Sequence, residues 1–289
     1  MHGEMCRVLT IFVTCEIVCF CGCRALPTRR PLTESERTAL YEQTHREFQN
    51  AAFLKPRDGS MADQPFACAP LIVQEIPPES DARQTSERFG AVIIDEAGQV
   101  TIDANVPTVY TTSSSIEIAG RLYDQLSYRW AYPPATKGGT QRWRGFRETF
   151  GSDGFPVIFE VLSSDAKTTV LYVSQSLASA SEETFHSPLP NRRFTIEPPL
   201  AEHPNVVVAR VLEDGPQPMG PYVYLSHDNL TMTTLICRCM PAQFNAVVEN
   251  DYYDLVPLTS FNELGIGIEA DMPAASAHLE RMLRLPADF

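Results

Sequence analysis

The chain reads as an α+β protein, built mainly on an antiparallel sheet of hairpins and a meander with a few helices against it. Three observations carry that reading. Short segments of strand character alternate with Gly- and Asp-bearing turns over residues 144–174, and such short connections favour antiparallel neighbours. Three segments show apolar residues at helical spacing. Twenty-three prolines among 289 residues keep the elements short and the loops many.

The elements follow in order. Thr33 with Glu36 forms a capping-box pattern, and Leu40, Tyr41, Thr44, Phe48, Ala51 and Ala52 recur behind it. This predicts a helix over Glu34–Ala52. Pro56, Pro65, Pro70, Pro77 and Pro78 then mark loop, with a short strand at Leu71–Val73. Ala91–Asp95 and Gln99–Asp103 flank Glu96-Ala97-Gly98 as a hairpin, and Val109–Thr111 extends the sheet. Ser114 and Glu117 repeat the capping pattern. Ile116, Ala119, Leu122, Tyr123, Leu126 and Trp130 then predict a helix over Ser115–Tyr128.

Arg144–Phe150 and Phe155–Leu162 flank Gly-Ser-Asp-Gly as a second hairpin, and Thr168–Ser174 is a third strand. A helix over Ser176–Phe185 covers one face. Further strands are expected at Arg193–Glu197, Val206–Leu212, Tyr222–Ser226, Met232–Cys239 and Tyr253–Leu258, with a last helix over Ala274–Leu285. A faint repetition of strand, turn, strand and helix between 91–128 and 155–185 reads as coincidence.

The first residues give an address. Val8–Gly22 is a mostly apolar run behind Arg7, followed by Arg24, Pro27, Arg29, Arg30 and Pro31. A basic start with an apolar stretch of this length is the layout of a secretory signal, and the run is short for a permanent span. The segment Phe20-Cys21-Gly22-Cys23 resembles a bacterial lipoprotein signal peptide, with small Gly22 before Cys23; Phe20 and Cys21 stand where Leu and Ala or Ser are usual. The resemblance covers this segment alone. It implies that residues 1–22 are removed, that Cys23 is lipidated, and that the protein is held by that lipid to a membrane at the cell envelope. The alternatives are a secreted protein or an uncleaved anchor, and Met5 is a second candidate start. The organisation is then a signal peptide (1–22), a tether (23–32), an N-terminal helix with a Pro-rich loop (33–88) and an α+β domain (89–289).

Charge narrows the partners. The net charge is −13, and removing Arg7, Glu4 and Glu16 with residues 1–22 leaves −12. So acidic a body repels phosphate backbones and anionic headgroups, which argues against nucleic-acid binding and leaves membrane attachment to the N-terminus.

Three constellations remain for chemistry. Cys237-Arg238-Cys239, read as strand, puts both sulfurs on one face as candidate metal ligands, against plain core packing or a disulfide with Cys68. Arg142, Trp143 and Arg144 form a basic aromatic cluster suited to an acidic ligand or a glycan, against arginines guarding an edge strand. His227-Asp228 is a base-and-orienter pair or simply a turn. No nucleophile elbow, phosphate loop or dinucleotide fingerprint is present, and no cofactor pattern stands out. The sequence therefore leans away from an enzyme and towards an interaction or structural role.

Overall fold

The computed structural model describes residues 48–77, 88–136, 139–163, 169–186, 206–242, 244–264, 279, 285–286 and 289. The segments expected at Arg193–Glu197, over Glu34–Glu47 and over most of Ala274–Leu285 lie outside them, as does everything before Phe48.

Thirteen strands, two α-helices and a 3-10 helix at Phe261–Leu264 make up the described body. In chain order they are β1 (Phe48–Pro56), α1 (Gln64–Ala67), β2 (Leu71–Glu75), β3 (Ala91–Ile94), β4 (Val100–Asp103), β5 (Thr108–Ile118) and β6 (Arg121–Tyr132). Then come β7 (Arg142–Phe150), β8 (Pro156–Ser163), β9 (Thr169–Ser174), α2 (Gln175–Phe185), β10 (Val206–Leu212), β11 (Pro221–Leu225), β12 (Met232–Cys237) and β13 (Phe244–Pro257). Eleven strands form one sheet in the order β10-β9-β8-β7-β6-β5-β13-β1-β2-β11-β12, and β3-β4 is a separate hairpin. The expected class holds: a large sheet rich in antiparallel hairpins, with few helices.

The meander β5 to β9 is antiparallel throughout. The pairs β1–β13, β13–β5, β2–β11 and β9–β10 are parallel, so the sheet is mixed. Parallel neighbours need a crossover, and α2 lies in the one between β9 and β10.

The sheet curls nearly into a barrel. Its inner face is set by period-two alternation. Leu126, Tyr128, Trp130 and Tyr132 of β6, Phe146 and Phe150 of β7, and Tyr172 of β9 join Leu54, Ile72, Val223 and Leu235 from the other end of the strand order in one buried cluster. Packed aromatic side chains fill this interior. The outer face is covered in patches. Leu177 and Ala178 of α2 pack with Leu279 over Ile118, Ile158 and Val173. Val92 and Ile102 of the β3–β4 hairpin pack on Tyr110 and Trp143.

Two expected helices are corrected. The described part of the first, from Phe48, is strand β1, which lies between β13 and β2 in the middle of the sheet. Strands β1 and β2 therefore belong to the same sheet as β5 to β13.

The helix expected over Ser115–Tyr128 is the β5–β6 hairpin, in register from Tyr110 opposite Arg129 to Ile118 opposite Arg121. Its turn is Ala119-Gly120, with φ of 50° and 79°. Positive φ at both central residues is the tight-hairpin geometry that matches strand twist. Leu122, assigned to the buried side of that helix, is 75% exposed. With β5 and β6 as strands, the repetition between 91–128 and 155–185 disappears.

Other elements match closely. In the β3–β4 turn, Asp95 Oδ1 accepts from the N–H groups of Ala97 (2.9 Å) and Gln99 (2.7 Å). The β7–β8 turn holds Asp153 Oδ1 to Phe155 N at 3.0 Å. Helix α2 starts at Ser174, whose Oγ accepts from Leu177 N at 3.1 Å, as an N-cap does.

Candidate functional site

Several chemistry-bearing residues gather around the turn after β12. The strand ends at Cys237 because the chain reverses there, Met240 N donating to Cys237 O at 3.0 Å. Cys237, Arg238 and Cys239 thus occupy a turn rather than alternating along a strand. The turn brings the two cysteine Cα atoms to 5.2 Å, and their sulfurs are joined in a disulfide. Cys239 is exposed and Cys237 buried, and Cys239 N lies 3.1 Å from Cys237 Sγ, donating to it. Cys68 is a free, buried thiol, so the pairing with Cys68 weighed from the sequence is not the one formed. Sulfurs tied to each other have no thiolate to offer a metal, and the described residues contain no group of three or more His, Cys, Asp or Glu able to hold one.

Arg238 leaves this turn for the interior. Its Nη1 lies 3.4 Å from Ala67 O, and its Nη2 donates to Ala69 O. A cation here meets carbonyls at the C-terminal end of α1. Tyr128 Oη donates to Pro65 O at 2.9 Å and Tyr253 Oη to Pro70 O at 2.7 Å. Four carbonyls of the Pro65–Pro70 segment are thereby held by three side chains from separate strands and the turn. The segment packs as a plug against the interior, Cys68 and Ala69 joining the central buried cluster. Gly220 packs against it: a Cβ there would collide with Cys68 O.

Glu148 of β7 points into the same interior. It is fully buried, and neither carboxylate oxygen has a hydrogen-bond partner among the described residues. Burial pushes its carboxyl well above the usual carboxylate range, and Arg238 pulls it back only in part. Burial likewise pushes the Cys68 thiol up, with Glu148 adding to the shift, and lowers the Arg238 guanidinium. Cys68 is therefore an inert thiol at neutral pH.

Beside the disulfide lies a shallow depression of about 30 Å³. Phe155, Pro156, Phe159 and Met219 give it apolar walls, Glu213 and Asp214 stand on its rim, and Cys237 lines it. Asp214 also fixes the start of α2: its Oδ2 accepts from Ser176 N and its Oδ1 from Ser176 Oγ, both at 2.9 Å.

The other sequence candidates lie elsewhere. Trp143 is 4% exposed and packs among Tyr110, Ala131 and Leu264 on the outer face. A ring so covered presents no stacking face to a ligand in solution. Arg144 faces inward, 2% exposed, and donates from Nε to Leu230 O at 2.9 Å and from Nη2 to Asn229 O at 3.0 Å. Arg142 sits over the Tyr132 ring at 5.8 Å and donates from Nε to Pro133 O at 3.3 Å. β7 lies between β6 and β8, so these arginines guard no edge.

His227, in the β11–β12 turn, has Nδ1 2.8 Å from Glu75 Oε2 and Nε2 2.5 Å from Asp228 Oδ1. Both ring nitrogens face carboxylates, which pins the turn to β2 and leaves neither directed at a substrate. The sequence paired His227 with Asp228 but could not show Glu75. Glu148 and Tyr253 were missed as well. Their one signal was polarity on the inward-facing register of a strand, visible only once the register is known.

The fold and this corner amount to a mixed, nearly barrel-like sheet with the Pro65–Pro70 segment packed against its interior and a C-x-C disulfide beside it. Comparisons with protein-family models, curated proteins and solved structures found no match.

Proposed function

We propose that the protein is exported and held at the cell envelope by a lipid on Cys23, where its barrel-like domain serves an interaction or structural role. The observation that carries this is the N-terminal sequence: the apolar run Val8–Gly22, small Gly22 before Cys23, and the Arg- and Pro-bearing stretch behind it. The body is compatible with a tethered role. No helix among the described residues is long and apolar enough to cross a membrane. The barrel interior is occupied by its own aromatic side chains, which favours work done on the outer surface over carrying a ligand inside. Exposed Val247, Val248 and Tyr252 on β13 give that surface apolar area for a partner.

The mass of the N-terminal peptide from native protein tests the proposal. A peptide starting at lipid-modified Cys23 is expected, with Cys23→Ser moving the protein out of the membrane fraction. An unmodified peptide starting at Met1 or Met5 overturns it.

A further inference from the structure

We propose that Cys237–Cys239 is a thiol–disulfide exchange site whose substrate is a pair of cysteine thiols on a non-acidic polypeptide. Four features of the turn point the same way. The bridge spans only two positions in sequence, so it constrains very little of the unfolded chain and is a poor structural staple. One sulfur is accessible and the other is not, Cys239 being exposed and Cys237 buried. The Cys239 N–H donates to Cys237 Sγ, so a thiolate forming on Cys237 has a hydrogen bond waiting. The surface beside Cys237 presents partly exposed Phe155, Pro156 and Met219 to an apolar part of the substrate, while exposed Glu213 and Asp214 next to them repel an acidic one.

A substrate thiolate attacks Sγ of Cys239, the Cys237–Cys239 bond breaks, and a mixed disulfide forms between substrate and Cys239. Cys237 departs as a thiolate and takes up a proton. The second substrate thiol, deprotonated, attacks the substrate sulfur of the mixed disulfide and releases Cys239 as a thiolate, which is protonated in turn. One disulfide has formed in the substrate and one has broken here. Two electrons and two protons have passed from the substrate dithiol to Cys237 and Cys239. A second disulfide, on a small molecule or a protein, restores the bridge by the reverse exchange.

Arg238 gives the site a built-in consequence. It lies between the two cysteines, and its guanidinium holds the carbonyls of Ala67 and Ala69 in the plug. Breaking the bridge loosens the turn that aims it.

The proposal does not depend on the lipid anchor, because Cys23 takes no part in it. The test uses the full chain in detergent, with a reduced dithiol peptide and glutathione as probes, read by thiol alkylation and mass spectrometry. Cys237 and Cys239 are expected to become alkylated together after the dithiol is added, the peptide is recovered as its disulfide, and Cys68 stays unlabelled. With limiting glutathione, the mixed disulfide is expected on Cys239 and not on Cys237. Given the peptide in its disulfide form, Cys237→Ser is expected to trap the mixed disulfide, as the Cys239 thiolate attacks the peptide bridge and no second thiol of the turn is left to release it. In Cys239→Ser the buried Cys237 thiol should react with the same oxidised peptide at least about tenfold more slowly, as access controls exchange. The site assignment in the wild-type protein stands even where a variant fails to fold. A bridge that resists millimolar dithiol in the native protein, or glutathione found equally on both sulfurs, overturns the proposal.

Discussion

Arg144 Nε donates to the carbonyl of Leu230 at 2.9 Å, joining β7 to the β11–β12 turn across 86 residues of chain. Leu230 has φ of 58°, so the turn turns its carbonyls inward at a backbone angle that a leucine rarely adopts. Arg144 Nη2 holds Asn229 O at 3.0 Å, and Nη1 holds Trp143 O at 2.8 Å. One planar fork thus satisfies carbonyls from two separate regions inside the barrel. Arg144→Ala is expected to destabilise the fold by about 3 kcal/mol or more, since buried acceptors lose charged donors and a large side chain leaves a void. Arg144→Lys should recover part of this, keeping the charge but not the fork. Urea unfolding of the three proteins checks the order.

Glu148 makes stability depend on pH in an unusual direction. Its folded-state carboxyl is raised above the ordinary range by burial. In the unfolded chain an ordinary glutamate loses its proton above about pH 4.3. Between those two points the folded state holds a proton that the unfolded state has released. The contribution is therefore intact at low pH and lost as pH rises, by up to about 1.4 kcal/mol per pH unit. Glu148→Gln removes the titration. The stability of the variant relative to wild type is expected to climb steadily from pH 5 upward. Chemical denaturation at several pH values between about 5 and 8 reads this directly; a difference that stays flat with pH would exclude a raised carboxyl.

Some of this was legible in the residues and some was not, for physical reasons. Hairpins whose turns carry Asp and Gly came through, because Asp95 and Asp153 make local bonds that any chain context permits. The β5–β6 hairpin did not. Ile116, Leu122, Tyr123, Leu126 and Trp130 happen to fall near helical spacing, while the alternation Leu126, Tyr128, Trp130, Tyr132 also fits a strand. Only partner strands on both sides decide between the two. β1 was lost for a related reason: Phe48 and Ala51 join one buried cluster and Ala52 and Leu54 another, with a register shift between Ala51 and Ala52, so its residues show no period-two alternation. The Cys237-Arg238-Cys239 motif was visible at once, yet its turn was not. The Arg142-Trp143-Arg144 cluster read as surface because arginine is rarely buried, and its partners lie far along the chain.

Gly220 marks where the plug meets the wall. A Cβ at this position would collide with Cys68 O and crowd Ala69 O, both backbone atoms that cannot step aside as a side chain would. Gly220→Ala is expected to cost about 2–3 kcal/mol through overpacking. It should also make the Cys68 thiol accessible, because the displaced segment is the one that buries it. Gly98→Ala is the control for loss of glycine alone: it has open space around it, at φ of 76°. It should destabilise by about 1 kcal/mol and leave Cys68 protected. Alkylation of Cys68 under native conditions separates the two.

Ala119 is the position where local preference and tertiary structure disagree most openly. Its φ of 50° is a left-handed conformation that alanine adopts at a cost of roughly 1–2 kcal/mol. Asparagine before glycine is the preferred pair for a two-residue hairpin with both φ values positive. Ala119→Asn is therefore expected to stabilise the fold by about 0.5–1 kcal/mol. Gly120→Ala, at φ of 79°, should destabilise it by about 1 kcal/mol or more. The opposite signs matter. Were residues 115–128 helical, asparagine at 119 would weaken the segment and alanine at 120 would strengthen it. Thermal unfolding of the two variants thus tests the strand assignment of β5 and β6 without a structure of either.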